Sequence, residues 1–600
     1  MKRVSQWWIL GAVAGIVLLL YLPTLRYGFV WDDGHLITTN TFLEHTTIPE
    51  IFARDFWFNP GKPAHEGDVS YYRPLPILSF FLERREFELS PAGYHLTNIL
   101  LHVFVVVLFW FVLRELYGSG WWAGFGALFY AVNPAMNCGV TFIANRTYLL
   151  AGLLLMLGLL MLLQGRHREE ARYRWLRPVV FAVSLLGALL SVEASLVAVV
   201  IAAAWLLFNR RQYPDLLHWV LGAAGAVLVY LVLRLGIARI SLMPPSVTHW
   251  AAMEPLRVIN TFGQQLFLFL VPFGQRVIYT VGPTFTSFSV YTMFGLLFML
   301  APPTLMLARR RPNTALRALL GYSWLVLFLL PFSNLLFLGP SGRMLYLSGI
   351  GVVIYALALI PPRSAGTAHR GVAKRAEENS DFALRFQRLG GEFVGLRNAV
   401  LVLLGLYLTA FAVQLVRRNE VWFDELSLDQ AMVREAPDSP GAHLNLGAEL
   451  AKRNRPLEAI AQYRLAIEDD SSYVSPHNRL AFALMEEDSV EGAAQEFREV
   501  VRLDPNSADA RNNLALTLKR AGMLDSAILY YRAALSIAPS DTTLNNLARA
   551  LLEHGNYPEA VNALKQVLAH QPYFEAARQN LTAAYLAAGL PDSADMLKGR

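Results

Sequence analysis

Two adjacent carboxylates, Asp32 and Asp33, stand in the stretch Tyr27-Gly-Phe-Val-Trp-Asp-Asp-Gly-His35, just past an apolar run over residues 7–22. The run is long enough to enter a bilayer. The pair therefore lies at the mouth of a membrane segment, where carboxylates are costly unless partnered and mark a functional site by default. A carboxylate so placed can take the proton of an attacking hydroxyl. The bland alternative is a helix-ending turn that faces water. Company further along the chain favours chemistry. Tyr72 and Arg73, His95, Asn98 and His102, Asn133 and Pro134, Asn145 and Arg146, Glu193, Ser333 and Asn334, and Arg343 all fall at or near the outer end of an apolar run. Random placement would scatter polar groups over both sides.

Each of these residues has a role that its chemistry allows. Asp32 is the first choice as catalytic base, with Asp33 orienting the acceptor or the loop. Arg343, Arg146 and Arg73 are the candidate donor-phosphate ligands, because guanidinium groups grip phosphate with paired N–H donors. Their alternative is snorkelling to lipid headgroups. Glu193 should pair with one of these arginines, since an unpaired acid is expensive in an apolar bundle. His95, Asn98 and His102, at i, i+3 and i+7, share one helical face. The histidines suit interhelical hydrogen bonding better than catalysis or metal binding. Tyr72 and Asn334 complete the supporting set. A nucleotide-binding glycine loop and a Cys/His metal spacing are both missing from the sequence, so a lipid-linked donor fits better than a soluble nucleotide one.

The elements that must position these groups are membrane helices. The chain has 600 residues, 54% hydrophobic and only 16% charged, with a mean hydropathy of +0.36. That balance excludes an ordinary soluble protein. The net charge of +6 resides in short basic clusters between apolar runs, the pattern of cytoplasmic loops rather than of a nucleic-acid groove. With one cysteine, Cys138, no intramolecular disulfide forms. Further spans are expected near 96–112, 120–133, 147–164, 178–191, 195–208, 217–236, 290–308, 316–332, 344–361 and 398–416, about eleven in all. The segment 259–273, carrying Gln264, Gln265, Pro272 and Gly274 nearby, is expected to be re-entrant or interfacial, because a full crossing would put Arg309-Arg310-Arg311 outside. An amphipathic helix is expected over 51–57, and the prolines of Ser70-Tyr-Tyr-Arg-Pro-Leu-Pro-Ile77 should break any long helix there. The N-terminus is then cytoplasmic and the C-terminal tail extracytoplasmic.

That tail changes character. From Asp438 onward, marks recur about every 34 residues: Asn445-Leu-Gly447, Arg479-Leu-Ala481, Asn513-Leu-Ala515, Asn546-Leu-Ala548 and Asn580-Leu-Thr582. Second helices align at Ala459, Ala493, Ala527, Ala560 and Ala594. This is the tetratricopeptide length, and such helix pairs stack into a solenoid with a concave protein-binding face. Tyr473, Phe482, Tyr530, Tyr531 and Tyr573 read as packing residues. The fold class is thus all-α: a polytopic transmembrane bundle over 1–420, its first external loop at about 26–95, then a repeat solenoid over 421–600.

At this point the chain resembles the TMTC-type proteins, which join a membrane glycosyltransferase of the GT-C class to C-terminal tetratricopeptide repeats. The resemblance rests on Gly28-Phe-Val-Trp-Asp-Asp33, Tyr72-Arg-Pro-Leu75, Gly93-Tyr-His-Leu-Thr-Asn-Ile-Leu-Leu-His102, Leu190-Ser-Val-Glu193, Leu330-Pro-Phe-Ser-Asn-Leu-Leu-Phe337, Arg343-Met-Leu-Tyr-Leu347 and Asn419-Glu-Val-Trp-Phe-Asp-Glu425. It implies a GT-C-like bundle and an O-mannosyltransferase-like enzyme. Such an enzyme moves a sugar from a polyprenyl- or dolichyl-phosphate carrier to Ser or Thr of exported proteins, with the first external loop supplying the carboxylate and the repeats presenting the acceptor. The chain departs from the family pattern at Asn133-Pro-Ala135, Asn145-Arg-Thr-Tyr148, Ser191-Val-Glu193 and Gly342-Arg343, losing two acids and a lysine while keeping the arginines. A divalent metal remains open as a cofactor. Two further functions also remain open: transfer to a glycan or lipid acceptor, and a non-catalytic scaffold in which the repeats recruit partners. The expected partners are the lipid-linked donor, an exported protein and membrane lipids, without nucleic acid. The preferred location is a bacterial inner membrane with the repeats in the periplasm.

Overall fold

The computed structural model describes residues 4–60, 71–166, 175–213, 215–240, 255–271, 273, 289–296, 312–329, 345–359 and 380–598. Every regular element among them is helical. The chain divides into two compact units, Met1–Leu428 and Asp429–Arg600. The longer helices of the first are α1 Val4–Tyr21, α2 Pro74–Phe87, α3 Pro91–Tyr117, α4 Gly120–Ala131, α5 Arg146–Gln164, α6 Leu176–Leu189, α7 Leu196–Phe208, α8 Leu216–Leu231, α9 Pro255–Leu270, α10 Pro312–Leu329, α11 Leu345–Leu359 and α12 Ser380–Glu420.

Five stretches among the described residues are long and apolar enough to cross a membrane: Trp7–Arg26, Pro91–Tyr117, Ile143–Gln164, Leu216–Ile237 and Asn398–Glu420. Four shorter apolar helices accompany them: Leu176–Leu189, Glu193–Phe208, Thr314–Leu329 and Leu345–Leu359. The centre of the unit is α3, whose Val105, Val106, Phe109, Trp110 and Leu113 are fully buried among α1, α4 and α5. From α5 the packing continues to α2 and α6. Between α10 and α11, Gly321 and Gly351 face each other's helix backbone so closely that any side chain would collide. Small residues at this place let two apolar helices approach without a hydrophobic drive from water.

Two local expectations change. Pro74 and Pro76 open α2 instead of preventing it, because the first turn of a helix has no intrahelical use for the missing N–H. The loop helix lies at Ile48–Phe52, one turn long, started by a capping box between Thr47 and Glu50 that satisfies two orphan backbone donors. The segment before Phe273 is a continuous helix, α9, whose Asn260, Thr261, Gln264 and Gln265 are buried.

In the second unit, α13 Glu425–Glu435, begun in the first, leads to five helix pairs: α14 Pro440–Lys452 with α15 Pro456–Asp469, α16 Val474–Glu486 with α17 Val490–Leu503, α18 Ala508–Arg520 with α19 Leu524–Ile537, α20 Asp541–His554 with α21 Tyr557–His570, and α22 Glu575–Ala587 with α23 Pro591–Lys598. Ala459, Ala493, Ala527, Ala560 and Ala594 are each fully buried, so every second helix presses its alanine onto its neighbour. Successive first helices also approach one another, which places them on the inner side of the curve. Tyr531 is a core residue and the half-exposed Phe482 packs edge-on against the buried Phe497, but Tyr573 is 91% exposed. Tyr573 sits in the turn before α22, where no neighbouring helix covers it.

Candidate functional site

The Asp32–Asp33 turn is held from both sides. Asp33 is fully buried, and each of its carboxylate oxygens accepts a backbone N–H: Oδ2 from Val30 at 3.1 Å and Oδ1 from Ala144 at 2.8 Å. Burial pushes its pKa well above the carboxylate range, with the Asp32 charge in the same direction, against the two N–H donors and Arg146. Trp31, on the other side, donates its backbone N–H to Oε2 of Glu425 at 2.7 Å, and its ring stacks on Phe142, which stacks on Trp422. The two residues flanking Asp32 are thus tied to 142–144, the segment that leads into α5. Asp32 itself is partly exposed. Two neighbouring carboxylates in such different surroundings divide into a buried proton-holder and an accessible group.

A second cluster meets the same end of α5. Glu193 accepts the Tyr72 N–H at 2.8 Å and Nε of Arg73 at 2.8 Å, and Arg234 approaches it at 3.6 Å. The acid of the loop before α7 therefore joins the start of α2 to the turn that follows α8. Arg73 also lies over the rings of Tyr71 and Phe56. Burial alone would lower its pKa, but Glu193 and the phenols of Tyr148 and Tyr71 outweigh that and raise it, so the guanidinium stays charged. Tyr148 is one helical turn from Ala144, which places the two clusters at neighbouring levels of one helix. Tyr72 anchors its own loop by donating its hydroxyl to the Phe52 carbonyl at 2.9 Å.

Arg146 is fully buried. Its guanidinium forms an ion pair with Glu83 and donates to Asn98 Oδ1 at 2.7 Å, Ser79 Oγ at 3.2 Å and the Tyr94 carbonyl at 2.9 Å. These contacts enclose it and make it a clamp joining α2, α3 and α5. Asn98 also donates to the Val140 carbonyl at 3.1 Å. His95 reaches the Gly28 carbonyl at 3.4 Å, and His102 meets the Tyr346 hydroxyl at 2.8 Å. The three residues of that helical face therefore reach three different elements.

Arg343 and Asn334 lie outside the described residues. Sequence reasoning did not single out Glu83, Arg234, Phe142 or the clamp from Glu425 to Trp31. Arg234 carried a signal, being the one Asp, Glu, Lys or Arg in the 22-residue stretch Leu216–Ile237. The two π-helical turns among the described residues, Gly34–Thr38 and Val232–Ile237, adjoin Asp33 and carry Arg234, respectively, and such turns recur at functional sites. Among the described residues, no three His, Cys, Asp or Glu side chains converge as metal ligands would.

Within the second unit, amide side chains link successive repeats. Asn546 donates to Asn512 at 3.3 Å, and Asn580 donates to Asn545 at 2.9 Å. All four are on first helices, the inner side.

The tetratricopeptide-repeat family pattern matches residues 479–542 and 551–595. The chain is 40% identical over 144 residues to the protein O-mannosyl-transferase tmtc2 of Xenopus laevis, a match covering 24% of this chain and 17% of that one. Identity to human protein O-mannosyl-transferase TMTC3 is 30% over 203 residues, covering 34% and 22%. To Drosophila melanogaster Tmtc1 it is 28% over 193 residues, covering 32% and 22%. The chain is thus a homologue of TMTC-family proteins, and its matches span about a fifth of the length of these relatives. Among solved structures, a crystal structure of MamA is 20% identical, with 27% of this chain and 90% of that one covered and a TM-score of 0.26. YrrB, titled a TPR protein with an unusual peptide-binding site, is 18% identical, with 28% and 88% covered and a TM-score of 0.26.

Proposed function

We propose that this TMTC homologue is a membrane glycosyltransferase. In this reading it moves a mannose-like sugar from a polyprenyl- or dolichyl-phosphate carrier to Ser or Thr hydroxyls of exported proteins. The observation that carries the reading is the turn that fixes both neighbours of Asp32 on one segment and leaves Asp32 accessible. Asp32 takes the proton of the acceptor hydroxyl as its oxygen bonds to the anomeric carbon. The bond from that carbon to the phosphate breaks, and the lipid phosphate leaves with the electron pair. Arg73, kept cationic by its ion pair with Glu193, stabilises the charge that develops on the phosphate; Arg343 is a further donor-phosphate ligand. Asp33, His95, Asn98, His102 and Arg146 hold the frame. A GT-C-like bundle of about eleven spans in a bacterial inner membrane presents this site outward, and the repeats bind the acceptor.

The test is mass spectrometry of exported proteins from cells expressing wild type or Asp32→Asn at matched membrane levels. Hexose adducts on Ser or Thr should fall by at least about a hundredfold, the scale of a lost general base. Adducts unchanged by the substitution but removed by deleting the gene would move the base elsewhere. Adducts unaffected by either change would refute protein glycosylation.

A further inference from the structure

We propose that the indole of Trp31 is the platform on which the transferred pyranose lies beside Asp32, an inference that rests on the lipid-linked transfer reading. Trp31 holds φ at +51°, in the left-handed region that a bulky residue avoids. Strain of this kind persists only where the surroundings over-determine it. Here they do. The Trp31 backbone N–H is taken by the Glu425 carboxylate at 2.7 Å, its carbonyl accepts the Gly34 N–H at 3.1 Å, and its ring stacks on Phe142 with centroids 6.1 Å apart and planes 23° apart. Phe142 in turn lies 5.1 Å and 20° from Trp422, which is buried.

A turn that only had to present Asp32 would be cheaper with glycine or asparagine at position 31. What stands there is a tryptophan propped by two more rings, yet 42% exposed. The C–H bonds on one face of a pyranose carry partial positive charge and pack on an electron-rich indole as aromatic edges do, leaving the hydroxyls at the rim for polar partners. A Ser or Thr acceptor has no such ring, so the pyranose is the donor's. Stacked on Trp31, its anomeric carbon is oriented next to the carboxylate that accepts the incoming proton.

The full-length protein in lipid nanodiscs, free of sugar-headed detergent, is mixed with methyl α-D-mannopyranoside and followed by saturation-transfer NMR. Wild type and Trp31→Phe should saturate the C–H protons of one sugar face. Trp31→Leu, with its melting temperature checked, should weaken binding by about three- to tenfold, the range of a stacking contact. Equal binding by Trp31→Leu, or no saturation with wild type, would overturn the platform and leave Trp31 an aromatic anchor at the headgroup level. The transferase reading is judged separately, on the hexose adducts lost in Asp32→Asn, so the two can fail independently.

Discussion

Asp32 and Asp33 share a peptide bond and almost nothing else. Asp33 meets two backbone donors with two oxygens, so Asp33→Asn leaves one buried N–H without its acceptor and should cost about 1–3 kcal/mol. The loss depends on pH. Burial raises the folded pKa of Asp33 above its ordinary 3.8, so the folded state binds the proton more tightly than the unfolded chain does. The stability that this confers is complete below the unfolded value and is lost as pH rises through the folded one. The melting-temperature advantage of wild type over Asp33→Asn should therefore shrink from acid pH toward neutrality. An advantage that grows instead would mean that the N–H donors hold the anion and that burial is the lesser influence. The sequence singled out the pair and put Asp32 first as base, but it could not show what holds Asp33, because one of its two donors is Ala144, more than a hundred positions away.

Helices enter the site through their first turns. The start of α5 takes Asp33 through Ala144 and binds Glu83 through Arg146. This ion pair is buried, and removing one partner of such a pair strands the other charge. Arg146→Met should destabilise the bundle by about 3–5 kcal/mol, while Arg146→Met combined with Glu83→Leu should regain most of that. Thermal melts of the detergent-solubilised variants measure both, and additive losses would refute the pairing as the cause. In the repeats, the recurring alanines were legible because a period of 34 exposes them directly. Less legible was a second device on the same period. His443, His477, Arg511 and Arg578 each reach the carbonyl six residues earlier, at Pro437, Ser471, Pro505 and Pro572, pinning the turn between repeats to the next first helix. Two residue types do one job there, so the pattern is invisible to identity and plain only as geometry. Ala527→Leu, on the fully buried face of α19, should cost about 1–3 kcal/mol in repeat-unit stability by overpacking.

At the scale of the molecule, hydropathy located the helices well but could not say which of them cross. The expected spans near 178–191 and 344–361 correspond to α6 and α11, and 14 residues of α6 extend only about 21 Å, short of a hydrocarbon core of about 30 Å. Length and composition therefore establish five candidate spans among the described residues, while the expected eleven counts shorter apolar runs too, with basic clusters setting their orientation. The expected eleven is odd and would put the two ends of the chain on opposite sides. The single native cysteine makes this testable. In a Cys138→Ser background, Lys2→Cys should react with an impermeant maleimide only after spheroplasts are permeabilised, whereas Tyr573→Cys, at an exposed turn, should react in intact ones. Labelling of both only after permeabilisation would require an even number of crossings. The repeats would then share the cytoplasm with the N-terminus, where they could not meet exported acceptors, and the glycosyl-transfer reading would lose its acceptor whatever the chemistry at Asp32.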